Sequence, residues 1–395
     1  MLQVDHWLLP EGVEEVLPDD ALRLERLRRT LLDLFSTWGY QLVIPPYIEF
    51  LESLLIGIGH DLDLQTFKLT DQLSGRMLGI RADMTPQVAR IDAHNLKRDV
   101  PTRLCYVGTV LHTRGDHLEQ SRSPMQVGAE LYGHAGMASD LEVLQLMLET
   151  LAMAGIQNVH VDLGHVGIFR GLARQAGLNS DQEAEIFGVL QRKARPELAE
   201  LLSELDLTAE MRGMLSALPE LNGYAGVIEQ ARQRLTSADR SVMHALDDLE
   251  QIARQLSQAF SSLPINFDLA ELRGYRYQTG MVFAAFVPGH GREIARGGRY
   301  DEVGKVFGRA RPATGFSADL KVLASLATGW DGAGCAQSIF APSMDDADLS
   351  EKIRDLRAAG RHVIQELSGQ TGSAVDMGCT HKLDKRGQEW EIVPV

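Results

Sequence analysis

Short apolar segments separated by glycine, proline and polar turns recur along this chain, and they constrain its fold more than any other feature. Segments of about four to eight apolar-rich residues bounded by turn residues are typical of β-strands. They occur at 41–44, 77–81, 103–110, 125–132, 159–163 and 265–269. A further pair, 278–287 and 292–296, flanks the turn sequence PGHG and predicts a hairpin. Because these strands outnumber the helices between them, we predict an α+β fold with an antiparallel sheet flanked by helices.

Apolar residues at helical spacing predict the elements that flank the sheet. We expect Asp19-Asp20 to cap a first helix that ends at Gly39, because apolar residues recur every three or four positions between them: Leu24, Leu27, Leu31, Phe35 and Trp38. A second helical stretch, from residue 179 to 260, has Ser180 or Asp181 as its expected first cap. Residues 346–367 predict one further helix, with apolar residues on one face: Ile353, Leu356 and Val363.

These patterns divide the chain into four parts. Residues 1–178 and 261–330 are expected to form the two halves of one sheet-containing core. Residues 179–260 are expected to be a helical insertion within it. The remaining residues, 331–395, follow a glycine-containing link and are expected to form a short C-terminal α/β domain.

The charge balance and the cysteines limit the possible functions. The chain has 395 residues and a formal net charge of −15, whereas a protein that grips a phosphate backbone normally presents a basic face. Its three cysteines are too widely spaced for a disulfide framework, and Cys379-x-His381 supplies only two potential metal ligands. Neither a signal peptide nor a membrane-spanning apolar run is found. We therefore expect a cytoplasmic protein that uses no metal or cofactor and binds neither tRNA nor membrane.

Four groups of segments together resemble the histidyl-tRNA synthetases and their paralogues, a class II aminoacyl-tRNA synthetase family. The first is GYQLVIPP at 39–46, which is similar to motif 1, and the second is IRADMT at 80–85, which is similar to the segment that holds the substrate amino group. The third runs from YVG to QVGAE at 106–130, in the place of motif 2. The fourth begins with LRGYRY at 272–277, which resembles the histidine-specific signature, and continues through GGRYD at 297–301 to PATGF at 312–316, the approach to motif 3. The resemblance covers roughly residues 10–330. It implies a class II synthetase-like core that dimerises through the Trp38–Pro46 region.

On the amino-acid side of the site, the resemblance retains the family's polar contacts. Asp83 keeps a carboxylate, one methylene shorter, where the substrate ammonium would sit, and Arg273 matches the arginine that faces the substrate carboxylate. The other residues of the implied histidine-binding set are Thr85, Gln126, Glu130, Tyr277 and Tyr300. The pattern departs from the family at Gln278, which replaces a tyrosine, and at Arg276, which replaces an aspartate.

On the nucleotide side, the residues that class II enzymes use to clamp ATP are replaced. The motif 2 arginine falls on His112, and its partner glutamate falls on Arg114. In motif 3, the ATP arginine falls on Val322 and a small glycine falls on Asp319, whose charge would repel a triphosphate. Loss of one such donor typically costs about 2–4 kcal/mol in the transition state. The resemblance therefore implies a site that senses an amino acid but does not activate it.

Each candidate residue also has a purely structural interpretation. Asp83 and Thr85 are residue types that cap turns. Gln126 and Glu130 lie four positions apart, on the same face of one strand, as a buried polar pair would. Arg273 could be an ion-paired residue of the sheet, and Tyr300 could serve only in core packing. Gly297-Gly298 is expected to form a tight turn rather than a phosphate-binding loop. His112 is a poor candidate for a general base, since no nucleophile is found near it in sequence.

A histidyl-tRNA synthetase paralogue without ATP arginines resembles the regulatory subunits of ATP phosphoribosyltransferase. Residues 331–395 are short for the anticodon-binding domain of a synthetase and offer no basic platform, which agrees. The resemblance implies a short-form catalytic subunit as partner in a hetero-octamer, with feedback inhibition by free histidine. It leaves open whether histidine binds here or on the partner, and which surface the partner contacts.

Two other functions are compatible with parts of the sequence. The first is a divergent ligase that activates histidine or another acid, in which Arg114 or Arg122 would replace the missing ATP contacts. The second is a nucleic-acid-binding remnant, which the acidic charge disfavours. Amino-acid-dependent exchange of pyrophosphate into ATP would distinguish the ligase from the regulatory subunit.

Overall fold

The computed structural model describes residues 7–55, 60–115, 121–271, 274–275, 277–328 and 338–395. The chain divides into two compact units, Met1–Ala327 and Thr328–Val395, and each is described by itself. Among the described helices, none combines the length and the apolar composition needed to cross a membrane.

A nine-stranded sheet forms the centre of the first unit. The strands of this unit are β1 (Gln41–Leu42), β2 (Ile48–Phe50), β3 (Phe67–Thr70), β4 (Met77–Ile80), β5 (Thr102–Thr109), β6 (Met125–Tyr132), β7 (His160–His165), β8 (Asn222–Gly223), β9 (Ile265–Asp268), β10 (Met281–Phe286), β11 (Ala295–Arg299) and β12 (Ala313–Asp319). The central sheet has the order β1-β5-β6-β12-β11-β10-β7-β9-β8, and a smaller sheet has the order β2-β4-β3. Neighbouring strands of the central sheet are antiparallel except for β1 with β5 and β7 with β9. The predicted antiparallel sheet is confirmed, with parallel pairs added toward its two ends.

Helices surround this sheet, as predicted. The α-helices of the first unit are α1 (Pro18–Thr37), α2 (Leu51–Leu54), α3 (His60–Gln65), α4 (Thr85–Arg90), α5 (Met137–Met153), α6 (Val166–Gln175), α7 (Ser180–Gln191), α8 (Arg195–Glu204), α9 (Ala209–Ala217), α10 (Gly226–Arg234), α11 (Arg240–Ala259) and α12 (Leu320–Leu326). A π-helical turn, Ile91–Leu96, continues α4, and 3₁₀ turns occupy Leu218–Glu220 and Val303–Phe307. The helical stretch predicted between residues 179 and 260 therefore corresponds to α7–α11, with one short strand among them.

Helix α1 packs its apolar stripe against the rest of the unit. It contacts α5 and α12, and the Phe35 ring meets the Phe316 ring of β12 edge-on at 6.1 Å. The prediction that Asp19-Asp20 caps this helix was wrong: the capping position is Leu17, and the helix begins at Pro18, whose ring presets a helical φ. The two aspartates lie in the first turn, where the partial positive charge of the helix N-terminus favours them.

The first helix of the 179–260 stretch also begins differently from the prediction. Its cap is Asn179 rather than Ser180 or Asp181. The Asn179 side chain accepts hydrogen bonds from the amides of Asp181 and Gln182, and the Gln182 side chain accepts one from the Asn179 amide. This reciprocal capping box satisfies three amides at once, which a serine one position later would not do.

The predicted hairpin is present, but its strands begin later than expected. Strands β10 and β11 are antiparallel, with Val282 opposite Gly298. Gly297-Gly298, which we expected to form a tight turn, lies inside β11, so that prediction was wrong. A Cβ at Gly297 would overlap the carbonyl oxygen of Gly315 on β12 and would lie 2.6 Å from the Phe283 ring of β10. These glycines therefore allow close approach of neighbouring strands rather than a change of chain direction.

The second unit is a small α/β structure, as predicted for the C-terminal residues. Its elements are β13 (Ile339–Ala341), α13 (Ala347–Ala358), β14 (Val363–Gln365), β15 (His381–Arg386) and β16 (Glu389–Pro394), with the strand order β14-β13-β15-β16. The prediction of one helix through residue 367 was wrong. The helix ends at Ala358, before Gly360 takes a left-handed φ of 76°, and Val363 then packs from a strand.

A candidate ligand-binding site

A deep cleft of about 2020 Å³ opens over one face of the central sheet. Side chains from β6, from the loop before α4 and from β12 line it. Residues of the N-terminal segment before α1 and the turn residues Gly274, Tyr275, Tyr277 and Gln278 also line it. Six of the seven predicted histidine-contacting residues are among the lining: Asp83, Thr85, Gln126, Glu130, Tyr277 and Tyr300. The seventh, Arg273, lies outside the described residues, as does Arg276.

Glu130 lies at the floor of the cleft and is almost completely buried. Its Oε1 accepts hydrogen bonds from the Tyr106 hydroxyl at 2.9 Å and from Thr85 Oγ1 at 3.1 Å, and its Oε2 accepts one from the Tyr300 hydroxyl. Burial raises the pKa of Glu130 to about 8, although the hydroxyl donors oppose this change. The carboxyl group is therefore close to its titration point near neutral pH, and no described cation pairs with it.

The packing around Glu130 requires glycine on two neighbouring strands. Gly315 of β12 lies opposite Glu130, and a Cβ there would overlap Glu130 Oε2. Gly128 of β6 lies opposite Tyr106 of β5, and a Cβ there would lie 2.5 Å from the Tyr106 hydroxyl oxygen. The Tyr106 ring can therefore cross β6 to reach Glu130 only because Gly128 has no side chain.

Asp83 and Gln126 form a second polar group beside Glu130. Asp83 Oδ1 accepts hydrogen bonds from Gln126 Nε2 at 2.8 Å and from the Thr85 amide at 3.0 Å. Gln126 Oε1 accepts one from the Met84 amide at 2.8 Å. Gln126 therefore makes one hydrogen bond to the Asp83 side chain and one to the Met84 amide, and so binds the loop on both sides of the Asp83–Met84 peptide. Within the described residues, Asp83 Oδ2 receives no hydrogen bond, so it is free to accept one from a ligand.

The aromatic residues predicted for the site have different environments. Tyr300 is buried, packs edge-on against Tyr132 at 6.4 Å and donates to Glu130, so it combines a packing role with a polar contact. Its neighbour Arg299 is buried in an ion pair with Asp140, which fixes the end of β11. Tyr277 is 44% exposed and forms the side of the cleft. The structure therefore brings five predicted residues into one hydrogen-bonded network and leaves Tyr277 at its rim.

Of the four positions that resemble ATP-binding residues, His112 and Asp319 make structural hydrogen bonds, and Arg114 and Val322 line the cleft. His112 Nε2 lies 2.9 Å from the Ala82 carbonyl oxygen, so this nitrogen is the donor and is not available as a base. Asp319 caps α12: its Oδ1 accepts from the Lys321 amide and from the Met125 amide of β6. Arg122, one of the two arginines that a divergent ligase could use, donates to the His112 and Glu11 carbonyl oxygens, whereas the other, Arg114, lines the cleft.

Tyr106 is the site residue that the sequence did not single out. It falls inside a motif 2-like strand, where an aromatic residue reads as ordinary core. The available signal was the pairing of strands β5 and β6: a tyrosine opposite a glycine, two positions from a buried acid, can reach across the strand. This signal becomes usable only when the register of the two strands is known.

Comparison with known proteins gives the class of protein first. Residues 12–323 match the family model described as histidyl-tRNA synthetase, which defines the first unit as a member of that class II fold. A crystal structure from Bacillus halodurans, described as an ATP phosphoribosyltransferase regulatory subunit/histidyl-tRNA synthetase, superposes with a TM-score of 0.83 at 27% identity, over 96% of this chain and 97% of that one. The predicted synthetase-like fold is confirmed.

The relatives then identify the particular family. Residues 336–393 match the model of the ATP phosphoribosyltransferase subunit HisZ C-terminal domain. The chain is 60% identical over 392 residues to the ATP phosphoribosyltransferase regulatory subunit of Methylococcus capsulatus, covering 99% of this chain and 97% of that protein. It is 55% identical over 397 residues to that of Pseudomonas aeruginosa, covering 100% of both. The chain belongs to the ATP phosphoribosyltransferase regulatory subunit family, so the prediction of a regulatory subunit rather than a ligase is confirmed.

Proposed function

We propose that this chain assembles with a short-form ATP phosphoribosyltransferase catalytic subunit and that its cleft binds free histidine. Binding would bias the complex toward a low-activity state, as feedback on the first step of histidine biosynthesis. The observation that carries the proposal is the network of Asp83, Thr85, Gln126 and Glu130 on the cleft floor. On the side that resembles an ATP site, His112 and Asp319 make structural hydrogen bonds instead. A site with amino-acid contacts and no ATP contacts suits a sensor.

The floor of the cleft suits a zwitterion with an N–H-bearing side chain. The unengaged Oδ2 of Asp83 can accept from an ammonium group, and charge-assisted hydrogen bonds of this kind are about twice as strong as neutral ones. Glu130 can accept from a ring N–H once its carboxyl group is ionised. We propose that Arg273 neutralises the ligand carboxylate and that Tyr277 closes the side of the cleft.

We also propose that the chain forms a dimer through the Trp38–Pro46 region and, from these dimers, a hetero-octamer with the catalytic subunit. Strand β1 ends the central sheet, so one of its edges has no neighbouring strand within the described residues. Exposed apolar side chains follow one another along this edge, the next loop and the start of β2: Leu42, Ile44, Tyr47 and Ile48. Ile44 alone is 84% exposed. An exposed apolar edge strand of this kind supports self-association.

Calorimetric titration of histidine into the isolated chain tests the ligand assignment. We expect binding by the wild type, and a loss of roughly 30-fold in affinity for Arg273→Ala and for Asp83→Asn, because a hydrogen bond to a charged group contributes about 1.5–3 kcal/mol. Matched controls are Arg254→Ala and Asp206→Asn, which change exposed residues outside the cleft and should bind like the wild type. In the assembled complex, Arg273→Ala should shift inhibition to higher histidine concentration.

Two results would contradict the assignment. If the wild-type chain does not bind histidine, the sensor lies on the catalytic partner. If the complex containing Arg273→Ala is inhibited as strongly as the wild-type complex, histidine acts elsewhere even though it binds this cleft. Coupling free energies between sites are typically about 1–3 kcal/mol, so inhibition should be several-fold to about a hundredfold.

A further inference from the structure

The turn that carries Tyr277 into the cleft is anchored on its other side to the helical stretch 179–260. The Gly274 carbonyl oxygen accepts hydrogen bonds from the Tyr277 amide at 2.9 Å and from the Gln278 amide at 2.8 Å. Gly274 has a left-handed φ of 68°, and a Cβ there would lie 2.7 Å from Tyr277 Cζ. The Tyr277 ring therefore folds back over the Gly274 backbone, and its position in the cleft depends on where that backbone is held.

Tyr275, the next residue of the turn, is buried between two helices. Its ring stacks on Phe187 of α7 at 4.9 Å with an interplanar angle of 25°, and it meets Phe169 of α6 at 5.4 Å. Its hydroxyl group donates to Glu183 Oε1. Glu183 and Phe187 are four residues apart, so they lie on the same face of α7. One face of α7 thus contacts both the flat side of the Tyr275 ring, through Phe187, and its hydroxyl group, through Glu183.

Arg170 of α6 completes the anchor. Its guanidinium group lies 4.7 Å from the centre of the Tyr275 ring, and its Nη2 donates to the Tyr275 carbonyl oxygen at 2.5 Å. Burial and the charge of Glu183 both raise the pKa of Tyr275, so the hydroxyl stays protonated and remains a donor throughout the neutral range. The side chain and the backbone of this one residue are therefore held together.

We propose that Tyr275 is a positioning residue through which helix α7 sets the affinity of the cleft for its ligand. Tyr275 lines the side of the cleft, and its hydroxyl group and carbonyl oxygen form hydrogen bonds with Glu183 and Arg170 rather than with the Glu130 network. Tyr275 fixes the backbone of the turn, and this backbone determines the position of Tyr277. A shift of α7 would move the Tyr275 ring, and Gly274 and Tyr277 would follow it, so the helical stretch and the ligand site are mechanically coupled. This inference rests on the proposed histidine site.

Histidine calorimetry on substitutions at the anchor tests the coupling. Tyr275→Phe keeps the stacking and removes the hydrogen bond, and Glu183→Ala removes its acceptor; each should weaken histidine binding about tenfold. The double variant should also lose about tenfold rather than a hundredfold, because both changes break one contact. Glu183→Gln retains an oxygen acceptor and should bind within about threefold of the wild type. The matched controls are Glu185→Ala, on the same helix, and Tyr224→Phe; both residues are exposed, and both variants should bind like the wild type.

Hydrogen exchange of the ligand-free protein gives a second readout that does not depend on histidine. The Tyr277 and Gln278 amides should exchange faster in Glu183→Ala than in the wild type, and Glu183→Gln should restore their protection. If the wild type fails to bind histidine, the proposed function is wrong. Hydrogen exchange of the Tyr277 and Gln278 amides then still tests whether α7 holds the turn. The positioning role is refuted if exchange at these amides is unchanged in Glu183→Ala, or if the two losses of affinity multiply.

Discussion

The ionisation of Glu130 leads to a quantitative prediction about stability. Its pKa in the folded protein is about 8, against an ordinary value of 4.5, because the carboxyl group is buried. The folded state therefore binds more protons than the unfolded state between these two pH values. Stability contributed by the protonated group is fully present below about pH 4.5 and is lost as pH rises through 8. The difference corresponds to on the order of 5 kcal/mol.

Glu130→Gln removes this titration while nearly preserving the shape of the side chain. The amide oxygen can accept from Tyr106 and Thr85, whereas the Tyr300 hydroxyl must reorient to accept from the amide nitrogen. We expect the variant and the wild type to have similar stability near pH 5. As pH rises to 8.5, the wild type should lose several kcal/mol relative to the variant.

Urea denaturation at a series of pH values, followed for both proteins without ligand, measures this difference directly. Subtracting the two profiles removes the contribution of every other titrating group. Glu200→Gln, an exposed glutamate on α8, is the matched control and should follow the wild type at every pH. A difference between wild type and Glu130→Gln that does not change with pH would show that Glu130 titrates near its ordinary value, and the argument from burial would be refuted.

Three further outcomes are expected. Gly315→Ala should cost about 1–3 kcal/mol of unfolding free energy and abolish histidine binding, because its Cβ overlaps Glu130. The control Gly213→Ala, in an open helical position, should be neutral or slightly stabilising, and equal effects of the two variants in thermal unfolding would contradict this. Ile44→Lys should turn a dimer into a monomer in light scattering, with Leu367→Lys, in the second unit, remaining dimeric; a wild-type monomer at micromolar concentration would rule out this interface. Histidine-dependent exchange of labelled pyrophosphate into ATP should be absent, and detectable exchange would overturn the assignment of the nucleotide half.

The sequence predicted the elements well where one local rule determined them. Strand 125–132 was predicted to the residue, because apolar and polar side chains alternate there between the core and the cleft. Errors occurred where two local rules competed. The helix predicted through residue 367 contains enough apolar residues at helical spacing, but the Ala359-Gly360 stop and a strand-forming Val363 ended it earlier. Asn179 was overlooked because its neighbours Ser180 and Asp181 are also capping residues.

The residues that form the site could be predicted from the sequence better than their hydrogen bonds and pKa values. The resemblance placed Asp83, Thr85 and Glu130 together, but their hydrogen bonds depend on the approach of β5, β6 and the loop before α4, which lie far apart in sequence. The raised pKa of Glu130 follows from burial by all three. No local pattern encodes it. Tyr106 was overlooked for the same reason, since its role depends on a glycine in the adjacent strand.

The cap on α12 also bears on how such a protein evolves. Asp319 stands where the resemblance expects the small glycine of an ATP site, and its carboxylate now satisfies two amides, Lys321 on its own helix and Met125 on β6. Restoring glycine would cost a few tenths of a kcal/mol in helix capping, and it would leave the part-buried Met125 amide without this acceptor, at a cost of up to about 1–3 kcal/mol. That loss of stability would come before any gain in catalysis, because the arginines are also missing. A return to the synthetase pattern at this position alone is therefore opposed by the loss of folding stability.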